Sequence, residues 1–194
     1  MSENLFEHED ICLYRQVNCA LYGCQEEVGF LAYLDHFKEK HSSFCNRASG
    51  ELKSGFKLSH HLKFSKILPT TEFFNFEPKT FSAFDRTFFG ITVVRNGILL
   101  NWIYILEDPT QAEHFVIEAK IMDGNSKSMT FEVGVNSMNL SHDKIIEDEI
   151  NVFLFSVKTA LKYAPGSLEI LVKIRNLKEE AKDEDQESGI SDND

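Results

Sequence analysis

Two cysteines and two histidines lie close together near the N-terminus, in the segment CALYGCQEEVGFLAYLDHFKEKH at residues 19–41. The pattern is Cys-x4-Cys-x11-His-x4-His, with Cys19 and Cys24 as the first pair and His36 and His41 as the second. This spacing is close to that of zinc fingers with two cysteine and two histidine ligands. Because Zn²⁺ prefers four nitrogen or sulfur ligands in a tetrahedron, the sequence predicts that these four side chains bind zinc.

The role expected for this zinc is structural. Four protein ligands leave no open coordination position for a water nucleophile. A module of about 30 residues also has too few apolar side chains to fold without a disulfide or a metal. The alternative interpretation is a pair of free cysteines and a pair of surface histidines; the metal is favoured because all four spacings are permitted ones.

The residues between the two pairs predict the elements that position them. The two cysteines are expected on a turn, where Gly23 can adopt the backbone conformation that the turn needs. The two histidines are expected on an amphipathic helix. The apolar side of that helix is expected to carry Val28, Leu31, Leu34 and Phe37. Five residues advance about 140° around an ideal helix, so His41 reaches the metal only if the last helical turn loosens or ends.

A second Cys/His fragment precedes this segment. His8 and Cys12 stand four residues apart in HEDIC, and residues 1–7 contain no cysteine. The pair could be the remnant of a preceding zinc site that has lost half of its ligands. Taken alone, it is better interpreted as two unrelated residues.

Composition divides the chain into a Cys/His-bearing head at 1–46, a linker at 47–57, a β-rich body at 58–177 and an acidic tail at 178–194.

In FVIEAKI, Phe115, Ile117, Ala119 and Ile121 alternate with polar residues, as on a half-buried strand. Many such strands joined by turns predict a mainly β fold, an antiparallel β-sandwich.

Further strands are predicted at HLKFSKIL, FFGITVV, LLNWIYIL, MTFEVGV, INVFLFSV and SLEILVKI. A tight hairpin turn is expected at Asp123-Gly124-Asn125. Short helical turns are expected within LSHDKIIEDE and VKTALKYAPG. Trp102 and the Phe-rich TEFFNFEP are expected to pack in the sandwich core and at its edge.

Charge argues against two classes of partner. The net charge is −11, and the tail alone carries eight acids against two lysines. We expect the tail to be disordered because it has few apolar residues. We expect no nucleic acid or membrane as partner, because phosphate contacts need a basic surface and the chain has no long apolar run.

The acidic N-terminus lacks the features of a secretory signal, so the expected location is the cytoplasm, with the nucleus as an alternative.

Taken together, HEDICLYRQVNCALYGCQEEVGFLAYLDHFKEKHSS resembles the C-terminal half of the tandem zinc-finger module of the seven in absentia (Sina/Siah) family. The body blocks TFFGITVV, EHFVIEAKIMDG, MTFEV and INVFLFSVKTALKYAPGSLEILVKI resemble, in order, that family's substrate-binding domain. The resemblance covers about residues 8–177. By alignment, it implies zinc ligation by Cys19, Cys24, His36 and His41, and it matches His8 and Cys12 to the closing pair of the first finger.

The resemblance also implies a TRAF-like antiparallel β-sandwich that forms homodimers, or a heterodimer with a full-length Sina-type ligase, and binds substrates or adaptors for a RING-type ubiquitin ligase. An extended peptide would add along a strand of the sandwich. Where the family has an apolar stretch with Trp and Met lining its peptide groove, this chain has Ser82-Ala83-Phe84-Asp85. Peptide specificity is therefore expected to differ.

The chain also departs from the family in having no RING. A RING takes seven cysteines and one histidine, and this chain has four cysteines in total. The predicted function is that of a RING-less protein binding protein substrates, adaptor peptides or a full-length family ligase in ubiquitin-dependent degradation. A conjugating enzyme would be reached only indirectly, and no catalytic residue is predicted. The alternatives are a short form or dimer partner of a ligase acting directly in ubiquitin transfer and, less favoured, a nucleic-acid-binding finger.

Overall fold

The computed structural model describes residues 12–19, 21, 23–41, 58–63, 72–76, 78–122, 128–163 and 167–180. His8, the predicted linker 47–57, the predicted hairpin turn at 123–125 and the tail beyond residue 180 lie outside the described residues. No helix within these ranges is long and apolar enough to cross a membrane.

The described head, residues 12–41, is a small hairpin followed by a helix. Strands β1 (Gln16–Asn18) and β2 (Glu27–Gly29) pair antiparallel, and a 3₁₀ turn (Phe30–Ala32) leads into helix α1 (Tyr33–Lys40). Its buried residues are Tyr33 and Phe37.

The predicted apolar stripe of this helix is partly wrong. Val28 lies in β2, where its backbone pairs with Val17, and Leu31 lies in the 3₁₀ turn with 62% of its surface exposed. Because hairpin pairing and the 3₁₀ turn occupy residues 27–32, the helix starts later than its periodicity indicates, and its buried side begins at Tyr33.

The body is mainly β. Its described strands and helices are β3 (Leu58–Lys63), β4 (Phe73–Asn75), β5 (Lys79–Ala83), β6 (Arg86–Arg95), β7 (Ile98–Ile105), α2 (Pro109–Ala112), β8 (Phe115–Met122), β9 (Ser128–Gly134), β10 (Asn136–Ser137), α3 (His142–Asp148), β11 (Phe153–Ser156), α4 (Val157–Tyr163) and β12 (Ser167–Asn176). Helices α3 and α4 fall within the two segments predicted to hold helical turns. Strand β3 begins before the predicted HLKFSKIL, and β11 is shorter than INVFLFSV because residues 149–151 form a turn.

The strands form two sheets in the body. Sheet I contains β4 and β5 on one side of β6, then β7, with β10 and β11 on the far side of β7. Sheet II has the order β3, β12, β8, β9. The pairing is antiparallel except between β10 and β7, which run parallel over two residues.

One apolar core lies between the two sheets. From sheet II it takes the alternating residues of β8 and β12: Phe115, Ile117, Ala119, Ile121, Ile170, Val172 and Ile174. From sheet I it takes Phe81, Phe88, Val94, Leu99, Ile103, Ile105, Phe153 and Phe155. The period-two pattern therefore correctly predicted which face of β8 is buried.

The opposite face of sheet I is also covered, by the head together with Met138 and Ile145 of the body. Phe89 and Ile91 of β6 and Trp102 of β7 share a second apolar cluster with Tyr33 and Phe37 of the head. Trp102 was expected in the sandwich core; it is fully buried, but it belongs to this second cluster on the outer face of sheet I. Strands β6 and β7 are therefore apolar on both faces because each face meets a different part of the chain.

The described start of the acidic tail is not extended chain. Residues 178–180 are helical, and the carboxylate of Glu180 lies 3.5 Å from Nε of Arg175 in β12. The prediction of disorder for the remainder falls on residues outside the described ranges.

Candidate metal centre

The four residues singled out by their spacing come together in the head. One ligand atom from each of Cys19, Cys24, His36 and His41 lies within 4.8 Å of the other three. The cluster is close enough to bind a single metal ion. Three of the four side chains are buried, with Cys19 only 1% exposed.

Two of the six separations among the ligand atoms are close to the edges of a tetrahedral zinc site. Nε2 of His36 lies 3.2 Å from Nε2 of His41 and 3.8 Å from Sγ of Cys24. Zinc bonds of about 2.05 Å to nitrogen and 2.3 Å to sulfur give tetrahedral edges of about 3.3 Å between two nitrogens and 3.6 Å between nitrogen and sulfur. The donor set of two thiols and two imidazoles also matches the preference of zinc.

A short turn between β1 and β2 positions the two cysteines. Cys19 directly follows β1, and the backbone N–H of Cys24 donates to the carbonyl of Leu21 at 3.0 Å. Gly23 has φ +94°, a conformation that glycine adopts without a steric penalty, as expected for the residue beside Cys24. The N–H of Leu21 points at Sγ of Cys19 at 3.5 Å and favours a thiolate there.

Helix α1 positions the two histidines. His36 lies within the helix, whereas His41 is its C-cap residue, with φ −128° and ψ 26°. The N–H of His41 still donates to the carbonyl of Phe37 at 3.0 Å. The helix ends at Lys40, so His41 joins the cluster from a residue that no longer has helical backbone angles.

Burial governs the ionisation of two of the ligands. It raises the pKa of the Cys19 thiol to about 12, and the N–H of Leu21 offsets only part of this effect. Burial also lowers the pKa of His41, and the neighbouring His36 lowers it further. His41 therefore favours the neutral form that binds metal, whereas Cys19 needs a cation beside it to become a thiolate at neutral pH.

A carboxylate contacts the far side of one ligand. Oε2 of Glu26 lies 3.3 Å from Nδ1 of His36. The His36 side chain is 7% exposed and that of Glu26 is 57% exposed, so the carboxylate lies at the rim of the site.

The head is fixed to the body by polar contacts as well as by the apolar cluster. Nε of Arg15 donates to Oδ1 of Asn139 at 2.8 Å, and the guanidinium lies 3.6 Å from the centre of the Phe30 ring. The imidazole of His142 contacts the backbone carbonyl of Cys19. Sequence reasoning did not find Asn139 and His142, because partners more than 120 residues away leave no local signal.

The structure does not bring Cys12 into the cluster. Cys12 is a partly exposed free thiol just before β1, and its carbonyl accepts a hydrogen bond from Arg15 Nη1 at 2.9 Å. His8 lies outside the described residues, so the remnant of a preceding zinc site stays a prediction.

The stretch expected to alter the peptide groove ends β5 and forms the turn into β6. Ser82 and Ala83 are the last residues of β5. Phe84 and Asp85 form the turn, with φ +52° and +55°. The Phe84 ring packs inward, with its centroid 5.8 Å from that of Phe115.

Comparison with known proteins assigns the chain to no family. A scan against protein-family models finds no match, and a search of the curated proteins finds none either. The ligand set and its surroundings are thus the main guide to function.

Proposed function

We propose that this chain is a structural-zinc protein of the seven in absentia type that lacks a RING and binds other proteins in ubiquitin-dependent degradation. The observation that carries the proposal is the convergence of Cys19, Cys24, His36 and His41 in a head packed on a two-sheet body. The same four residues, in the same order, are those that the resemblance implies as zinc ligands.

Zinc would supply four bonds that tie the hairpin to helix α1. Contacts between side chains hold the head on the body. The rings of Tyr33 and Phe37 pack against Phe89 of sheet I, with centroids 5.4 and 5.1 Å away. Because both side chains project from the helix that carries His36, holding that helix against the hairpin also holds the head on the body.

The body is the proposed binding half. We interpret its two packed sheets as the TRAF-like β-sandwich that the resemblance implies. Among the described residues, β5 pairs only with β6 and β9 only with β8, so each offers a strand edge to which an extended peptide could add. The proposed occupants are protein substrates, adaptor peptides or the corresponding domain of a full-length ligase.

The proposal is tested by direct binding with purified proteins. The zinc-loaded full chain should bind a RING-bearing Sina-type ligase or a degron peptide from one of its substrates. Failure to bind either would contradict the proposal. A variant that cannot hold the metal, Cys24→Ser, separates binding that needs a fixed head from binding by the body alone.

The alternative of direct action in ubiquitin transfer has its own assay. With purified activating and conjugating enzymes, this chain alone should form no ubiquitin conjugates. Conjugates formed by the wild type would favour the ligase interpretation over the RING-less one.

A further inference from the structure

The two ring nitrogens of His36 face different partners. Nε2 faces the other ligands, 3.2 Å from Nε2 of His41 and 3.8 Å from Sγ of Cys24. Nδ1 faces Oε2 of Glu26 at 3.3 Å. One nitrogen is thus turned to the metal centre and the other to a carboxylate.

This arrangement selects one tautomer of the imidazole. A neutral imidazole carries its proton on one nitrogen and a lone pair on the other, and a carboxylate only accepts hydrogen bonds. A neutral His36 ring that faces Glu26 in this way carries its proton on Nδ1 and donates a hydrogen bond from Nδ1 to the carboxylate. Nε2 is left with its lone pair directed at the place where the four ligands meet.

The backbone holds Glu26 at this position. Its carbonyl accepts a hydrogen bond from the N–H of Cys19 at 3.3 Å, across the hairpin that contains both cysteines. Glu26 is also the second residue after Cys24 and the last before β2. The carboxylate is therefore placed by the same turn that presents the thiols, while the imidazole it contacts comes from helix α1.

We propose that Glu26 is a positioning residue of the metal centre, which orients His36 and holds it in the tautomer that binds zinc through Nε2. The proposal rests on the proposed zinc site. A surface ion pair with no such role would contribute little, because exposed pairs are weak and are screened by salt. Carboxylates that accept a hydrogen bond from a metal-bound histidine instead raise the basicity of the ligand, and losing one typically costs about 10–100-fold in metal affinity.

The test measures zinc affinity of the full chain by competition with a chromophoric chelator. Glu26→Ala removes the acceptor and should weaken zinc binding by about 10–100-fold. Glu26→Gln keeps an acceptor oxygen without its charge and should fall between Ala and wild type. The matched control is Glu27→Gln, which makes the same charge change at the next residue, an exposed position in β2, and should bind like wild type.

A spectroscopic readout separates positioning from general stabilisation. Long-range ¹H–¹⁵N correlation spectra report which nitrogen of each histidine carries a proton. In the zinc-loaded wild type, His36 should be protonated at Nδ1, and this proton should exchange with water faster in Glu26→Ala. A His36 ring protonated at Nε2, or an Nδ1 proton indifferent to the substitution, would overturn the proposal.

Failure of this inference can be told from failure of the proposed function. Suppose that the wild type binds one zinc and that both Glu26 variants bind it as tightly as Glu27→Gln does. This result would overturn the role of Glu26 but not the zinc site. Wild type that binds no zinc overturns both.

Discussion

Nε2 of His142 lies 3.2 Å from the backbone carbonyl oxygen of Cys19. His142 is the first residue of helix α3, and its ring packs against Trp102 and Tyr104, with centroids 5.7 and 5.5 Å away. Burial lowers the pKa of His142, so the ring is neutral at neutral pH and donates one hydrogen bond to the carbonyl. A candidate metal ligand in the head is thus hydrogen-bonded to the body at its own backbone.

Replacing His142 by Ala should weaken this connection. The carbonyl of Cys19 loses its donor and Trp102 loses a ring contact, so the free energy of unfolding should fall by about 1–3 kcal/mol. Urea unfolding of the zinc-loaded chain measures the change. Lys144→Ala, at an exposed position on the same helix, is the control and should change little; equal losses in the two variants would contradict the role of the contact.

Metal removal should be visible through Trp102, the single tryptophan of the chain. The indole is fully buried in an apolar cluster to which both the head and body residues such as Ile145 contribute, so a head that loosens after chelation should let water reach it and shift its fluorescence to longer wavelength. Cys24→Ser should show the shifted emission before any chelator is added. Complete zinc removal with unchanged emission would show that the head stays in place without metal.

The sequence predicted the residues of the cysteine–histidine cluster and most strands, because both depend on short-range patterns. Cysteine and histidine spacing is local, and so is the alternation that buries Phe115 and Ile117. The environment of Trp102 could not be predicted in this way. A strand buried on both faces has the same apolar pattern whether its second face meets another sheet or a small separate head.

The same limit applies to the head. The periodicity that assigned Leu31 to the buried side of a helix could not show that the residues before Tyr33 form strand β2 and a 3₁₀ turn. Glu26 carries no signal of its own in the sequence, since its contact with His36 depends on how the hairpin and the helix fold together.

A single substitution in the turn between β5 and β6 should increase the stability of the fold. Phe84 and Asp85 both have positive φ, which costs most residues other than glycine roughly 1–2 kcal/mol and costs aspartate less. Asp85 is exposed, so Asp85→Gly should raise the free energy of unfolding by about 0.5–1 kcal/mol, since relief of strain exceeds the entropy cost of glycine. Phe84→Gly should instead destabilise, because it loses the packing on Phe115. Thermal unfolding of the two variants measures both effects, and stabilisation by Phe84→Gly would contradict the packing argument.

Asp108 should stabilise the start of helix α2 in a pH-dependent way. Its carboxylate accepts hydrogen bonds from the Thr110 hydroxyl at 2.6 Å and the Gln111 N–H at 3.0 Å. Burial raises the pKa of Asp108, but these bonds outweigh it, and the net pKa is lowered. Because the folded-state pKa is depressed, the stabilisation is present above the unfolded pKa of about 3.9 and is lost as pH falls through the lower folded value.

At pH 7, Asp108→Ala should therefore lower the free energy of unfolding by about 1 kcal/mol. Asp108→Asn, which can still cap the helix, should lose less. In the folded chain, the carboxyl ¹³C shift of Asp108 should titrate with a midpoint below that of an ordinary aspartate. A midpoint above that of an ordinary aspartate, or equal losses for Ala and Asn, would contradict this account.

The most direct test of the metal centre is the number of zinc ions per chain, measured by native mass spectrometry. The geometry predicts one zinc in the wild type, none in Cys24→Ser, and one in Cys12→Ser, because Cys12 lies outside the cluster. Two zinc ions in the wild type would mean that His8 and Cys12 find further ligands elsewhere. A wild type without zinc, or a Cys24→Ser variant that retains it, would contradict the central claim.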